Sequence, residues 1–153
     1  LLALSMAKSG APKAALNLLE PVYQQHPDDP ETSGILGSIY KELFKETKNS
    51  KYAVLSRDTY LNNFRLTQNW YTGINAASMH AISGSMSKAK EIAKELVALL
   101  NPASEDPWEL ASLAEALLLI REKEKAIELY ARCRHLIGSD WGKVSSIYNQ
   151  LWL

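Results

Sequence analysis

Ala15, Ser56, Ala89 and Ala126 each stand four residues before a second inward-facing side chain: Leu19, Tyr60, Ala93 and Tyr130. They recur at intervals of 41, 33 and 37 residues. A second series interleaves with the first. It consists of Leu2-Ala3, Leu36-Gly37, Ala76-Ala77 and Leu113-Ala114, whose small members are 34, 40 and 37 residues apart. A step of four is close to one helical turn, so each small residue shares a helix face with its follower. Two interleaved series with one repeat length mean that helices come in pairs, crossing closely where Gly, Ala or Ser leaves room.

The rest of the chain agrees. Leu16, Leu19, Val22 and Tyr23 form one apolar face at helical spacing; Ile35, Leu36, Ile39, Tyr40 and Leu43 form another. Ile92, Leu96, Leu99 and Leu100 form a third, and Leu110, Leu113, Leu117 and Ile120 a fourth. No stretch alternates as a strand would. Punctuation falls at Pro27-Asp28-Asp29-Pro30, Gln68-Asn69, Gly84-Ser85, Asn101-Pro102 and Gly138-Ser139-Asp140. Asp29 and Asp106, each before a proline, and Asp140 before Trp141 read as N-caps. The turns aligned by the repeat are Gly10, Gly84 and Glu122. Pro21 is expected to kink its helix or loosen a turn. The polar stretch Lys45 to Lys51 is expected to be a lengthened, mobile turn.

This pattern resembles the tetratricopeptide repeat: a period near 34, small residues at helix crossings, and Pro27 where a repeat closes. The implied fold is all-α, a tetratricopeptide-like αα superhelix of antiparallel hairpins in which each hairpin buries its face on the next. Tyr40, Tyr60 and Tyr130 are expected to fill gaps between hairpins. The usual early tryptophan is absent, with Ser33, Gly73 and Leu110 in its place, and His80 stands where an aromatic is common. The expected organisation is a single domain of repeats at about 1–28, 29–68, 69–104 and 105–138, with a partial repeat at 139–153. A chain opening in mid-pattern without methionine is read as a fragment of a longer multidomain protein.

Four strings carry a narrower likeness: "GSIYKELF" (37–44), "SRDTY" (56–60), "YTGINAASM" (71–79) and "WELASLAEALLL" (108–119). They resemble the TRAFs-binding domain, found in apoptosis-signal-regulating MAP kinase kinase kinases and in related bacterial proteins. The likeness spans about Asp29 to Tyr130, and the Gly-Ile-Asn string is its most specific part. It implies a non-enzymatic interaction and regulatory scaffold module of a signalling protein. It does not imply that this chain binds TRAF proteins.

Gly73, Ala76 and Ala77 line one stripe of their helix, which close packing explains without a ligand. Asn75 is different, because a buried amide must be hydrogen-bonded. It is either a clasp to neighbouring backbone or a groove contact. In a solenoid of this kind the opening helix of each pair lines the concave face. Spacing puts Glu31, Gly34, Ser38, Lys41 and Glu42 there, then Tyr71, Ile74, Ser78, Ala81 and Ile82, then Trp108, Ala111, Glu115, Leu118 and Leu119. The candidate partner-binding residues are Lys41, Arg57, Tyr71, Asn75, Ser78, Trp108 and Glu115. Arg57 and Asp58 are expected to start a helix, either as a cap and ion pair locking the long turn or with Arg57 as a recognition residue at the groove edge.

Little else points to chemistry. His26, His80 and His135 have no metal-ligand spacing with Cys133. There is no phosphate loop and no nucleophile elbow. Asp28-Asp29 and Glu105-Asp106 sit at helix starts, where the dipole favours them. No enzyme activity, metal or cofactor is expected. Seventeen basic and seventeen acidic side chains cancel, which argues against a nucleic-acid or membrane footprint. One cysteine allows no internal disulfide, and a cytoplasmic location is the expectation. The expected partner is a protein or peptide, or another domain of the same chain. Trp141 and Trp152 mark an end suited to homodimer contact. The alternatives are a structural spacer between domains and a small-molecule sensor lined by Tyr71, Asn75, His80 and Glu115.

Overall fold

The computed structural model describes residues 2–138 together with Asp140, Gly142 and Ser145. Across residues 2–138 run eight helices: α1 (Leu2–Lys8), α2 (Pro12–Gln25), α3 (Pro30–Thr47), α4 (Ser50–Thr67), α5 (Trp70–Ile82), α6 (Met86–Leu99), α7 (Pro107–Leu119) and α8 (Lys123–Ile137). The Trp141/Trp152 dimer end lies outside the described residues, as does the Asp140–Trp141 cap.

Local signals place the helix ends. Asp29 accepts hydrogen bonds from the backbone N–H of Glu31 (3.4 Å) and of Thr32 (3.0 Å). Thr32 Oγ1 also donates to it, and these bonds hold its carboxyl below the usual range. Asp106 caps α7 in the same way, accepting from Trp108 N at 2.9 Å. Asp29→Ala is expected to cost about 1 kcal/mol, measured as a shift in the denaturation midpoint at neutral pH.

Within the first, third and fourth pairs the turn has one geometry. Ala11 N donates to Met6 O, Ser85 N to His80 O, and Glu122 N to Leu117 O, each bond reaching back five residues over a left-handed position. That position is Gly10 (φ 87°), Gly84 (φ 80°) and Arg121 (φ 72°). The repeat therefore aligns Arg121, not Glu122, with the two glycines. An arginine there carries the steric cost of a left-handed L-residue. Arg121→Gly is expected to stabilise the domain by roughly 0.5–1 kcal/mol, seen as a raised melting temperature; an unchanged or lowered value would count against a strained turn.

The polar stretch at 45–51 is not a long turn. α3 runs on to Thr47, Lys48 ends it in the left-handed region (φ 55°), and Asn49 caps α4 by accepting from Lys51 N. The extra residues lengthen the two helices, since Lys and Glu extend a helix readily. Arg57 and Asp58 consequently lie two turns inside α4 rather than at its start. α2 likewise continues past Pro21 to Gln25, so the proline withholds one backbone donor without ending the helix.

Each odd-numbered helix packs on its even-numbered partner, and α3, α5 and α7 also pack on the even-numbered helix before them. In addition α1 touches α3, α3 touches α5, and α5 touches α7, whereas the even-numbered helices make no close backbone approach to one another. The odd helices thus line the inner wall of a curved stack and the even ones form its outer layer. Small residues allow this. Gly37 sits under the Tyr60 ring, and Gly73 sits between Phe64 and Leu96. Ala76, Ala77, Ala89, Ala93, Ala114 and Ala126 are fully buried. Tyr60 fills its own hairpin over Gly37 and also packs into the core shared with the next pair, meeting Tyr71 edge-on. Tyr40 also bridges hairpins, donating its hydroxyl to Glu20 on α2.

Buried polar groups stitch successive hairpins together. Asn63, fully buried, donates to Pro27 O (3.0 Å) and accepts from Thr72 Oγ1 (3.0 Å). Within the second hairpin, Ser56 on α4 donates to Gly37 O on α3 at 2.8 Å. Leaving any of these groups unpaired would be costly, so they fix how the hairpins seat. Cys133 is a packing residue, buried beside Leu110 and Ala111 with its thiol directed at Pro107 O.

Candidate binding channel on the concave wall

The inner wall carries a row of polar side chains from three successive odd helices. Lys41 on α3 donates from Nζ to Asn75 Oδ1 on α5 at 3.0 Å. Asn75, only 2% exposed, donates from Nδ2 to Tyr71 O one turn back at 2.9 Å. Ser78, the next turn of α5, donates to Glu115 Oε1 on α7. Lys41, Ser78 and Glu115 are spaced by 37 residues and occupy one place in three repeats. The amide of Asn75 is thus both a clasp on its own helix and a contact with the channel lysine.

Burial dominates the electrostatics of this row. It lowers the affinity of Lys41 for its proton, helped by Lys45 and opposed by Glu115 and Glu42. It pushes the Glu115 carboxyl up to about 7, against the opposing pull of the Ser78 hydroxyl and of Lys41. Both side chains are half-buried at the channel floor.

Tyr71 and Trp108, on the first turns of α5 and α7, stand 40% and 36% exposed along one edge of the wall. Tyr71 lies over Gly34, where a Cβ would come within 2.9 Å of its ring. Leu118 is exposed near the other end of α7. The other predicted wall residues differ in burial. Ile74 is fully buried in the core instead of lining the channel. Ala81, Ile82, Ala111 and Leu119 are buried or half-buried.

Arg57 does not join the row. It lies on α4, an outer helix, and its Nε donates to the adjacent Asp58 Oδ1 at 2.7 Å. The charges nearest His80 are Arg57, Asp58, Lys88 and Glu91, on α4 and α6. His80 is buried, and neither ring nitrogen has a hydrogen-bond partner among the described residues. Burial, and then Arg57, disfavours its protonation. Tyr71, Asn75, His80 and Glu115 therefore do not surround one pocket, because His80 faces the outer layer.

The wall extends further toward α1 than the sequence reading placed it. Two open hollows of about 590 Å³ and 360 Å³ share Leu4 and Ser38; the larger adds Lys8, Glu42 and Glu46, the smaller Glu31, Gly34 and Tyr71. Leu4 and Lys8 stand 34 residues before Ser38 and Glu42. The repeat spacing itself was the signal that could have found them. The hollows bear charge at the α1–α3 end, whereas the aromatic residues mark α5 and α7.

Residues 1–80 match the family model described as Tetratricopeptide Repeats-Sensor. The chain belongs to this family. The match takes in the wall from α1 to His80 on α5, including Lys41, Asn75 and Ser78. A crystal structure of TTC0263, a thermophilic tetratricopeptide protein in Thermus thermophilus, is similar in fold: TM-score 0.69 at 19% identity, over 99% of this chain and 79% of that one. The search of curated proteins returned no match. The Tetratricopeptide Repeats-Sensor domain is thus an all-α tetratricopeptide-like superhelix, an architecture that generally mediates protein–protein interaction. Among its described residues no helix is long and apolar enough to cross a membrane, and no group of three His, Cys, Asp or Glu is placed to hold a metal.

Proposed function

We propose that this domain is a non-catalytic regulatory scaffold that takes a segment of a protein partner, or of another domain of its own chain, into the concave channel. One observation carries the reading. A continuous inner wall on α1, α3, α5 and α7 presents exposed Tyr71 and Trp108 beside oriented polar groups at Lys41, Asn75, Ser78 and Glu115. Exposed aromatics on a rigid wall supply contact area at low entropic cost, and fixed polar groups supply register. The strings at 37–44, 71–79 and 108–119 fall on α3, α5 and α7, the helices of that wall. The string at 56–60 falls on the outer helix α4. The resemblance that the four strings carry favours the narrower kinship with TRAFs-binding domains and hence a signalling protein, and the single cysteine favours the cytoplasm. The sensor in the family's description fits a module whose occupancy neighbouring domains read.

The test is a pull-down from the native organism's lysate with this domain and with a Tyr71→Ala/Trp108→Ala variant that melts at a similar temperature. A partner held by the parent and lost by the variant is the expected result. A partner held equally by both would move the site off the channel. Capture of nothing by either would favour a structural spacer.

A further inference from the structure

Lys41 and Glu115 are each oriented by a neutral group, and among the described residues neither has a counter-ion. Lys41 Nζ is held by an amide oxygen, and the Glu115 carboxylate by a hydroxyl. Among the described residues neither enters an ion pair, although Arg65 has found Glu95 and Lys88 has found Glu91 on the outer layer. The two attract each other from beyond contact distance, and that attraction does not offset their burial. Half-buried charges without counter-ions are costly, and among the described residues the complement to each is missing.

The two unpaired charges are opposite in sign and lie on either side of α5. Asn75 and Ser78, which hold them, are three residues apart on that helix, about 5–6 Å between side-chain roots. A polyanion laid along this floor would meet Glu115, and a polycation would meet Lys41. We propose that the channel's occupant is a peptide segment carrying one acidic and one basic side chain about a helical turn apart, the acid seated on Lys41 and the base on Glu115. This rests on the channel being a peptide site, and it names the chemistry of the peptide. The acid lies toward the α1–α3 end and the base toward α7. Such spacing is met by residues i and i+3 or i+4 of a helix, or i and i+2 of a strand.

A basic side chain on Glu115 would also drive off the proton that burial holds there, so binding at neutral pH releases protons. An occupant that only fills apolar space would not do this.

The test is selection of random peptides displayed on phage against the domain, with depletion on a Lys41→Met/Glu115→Gln variant. Enriched peptides are expected to carry Asp or Glu and Lys or Arg roughly two to four residues apart. A synthetic lead peptide should bind the variant about tenfold or more weakly. It should also release protons on binding at pH 7, read by calorimetry in two buffers of different ionisation enthalpy. If the variant does not fold, the lead peptide with its acid changed to Asn and its base to Met is measured on the parent domain, and the same loss is expected. Binders of a single charge sign, or a lead indifferent to both sets of changes, would overturn the charge-pair inference and leave the peptide channel standing. No binders at all would remove both.

Discussion

Gly73→Leu is expected to lower the unfolding free energy by roughly 1–3 kcal/mol, read as a lower denaturant midpoint at an unchanged slope. Gly73 is where α5 meets both helices that flank it. A Cβ there would lie 2.7 Å from Phe64 Cδ2, 2.8 Å from Phe64 Cε2 and 2.9 Å from Leu96 Cδ2. Phe64 and Leu96 are fully buried, so neither can swing into solvent. The remaining response is a shift of α5 away from α4 and α6, which would loosen the seam closed by Asn63 and Thr72. Gly10→Leu is the useful contrast, because nothing lies within 4 Å of a Cβ there and only the backbone resists. A neutral Gly73→Leu would mean that α5 can step back without loss and that the close crossing does not hold the repeat together.

Glu115→Gln is expected to stabilise the domain at about pH 8 and to leave it nearly unchanged near pH 4.5. In the unfolded chain the carboxyl titrates near 4.5, and in the folded domain it is pushed up to about 7. Between those values the folded state holds the additional proton, so stability falls as pH rises through the window and is lowest above it. At about 1.4 kcal/mol for each pH unit between the two values, discounted for water that reaches the channel, the loss is roughly 2 kcal/mol. The Gln variant lacks this loss and keeps an oxygen for the Ser78 hydroxyl. The groups facing Glu115 are Ser78 from α5, Lys41 from α3 and Tyr130 from α8. His80 gives the opposite trend, since its protonation is disfavoured in the fold and stability is lost as pH falls through its range. Comparing parent and variant at each pH cancels that contribution. Melting curves that shift equally with pH in both proteins would place Glu115 in free contact with water.

The helices were readable because their causes are local. Asp29 and Asp106 cap within a few residues, and the apolar faces repeat at helical spacing. The small residues of α5 mark a crossing wherever the partner helices come from. The misread turn at 45–51 shows the limit. A polar run looks like a loop, yet two residues, Lys48 and Asn49, close α3 and open α4. Arg57 was misplaced for the same reason, since its expected role depended on that loop. The left-handed position at Arg121 carries no glycine to advertise it, and only the hydrogen bond from Glu122 N to Leu117 O shows where the turn lies.

By itself the sequence determined an all-α stack of helix pairs, their approximate ends and the helices that form the inner wall, because caps, helical period and repeat length act over one turn or one repeat. Tertiary structure alone decided that Lys41 reaches Asn75, that Ser78 reaches Glu115, that Ile74 turns inward and that His80 faces the outer layer. Those outcomes depend on the rotation and depth at which one hairpin seats on the next. That is set by the sum of many side-chain contacts and buried hydrogen bonds between residues some 34 to 37 positions apart.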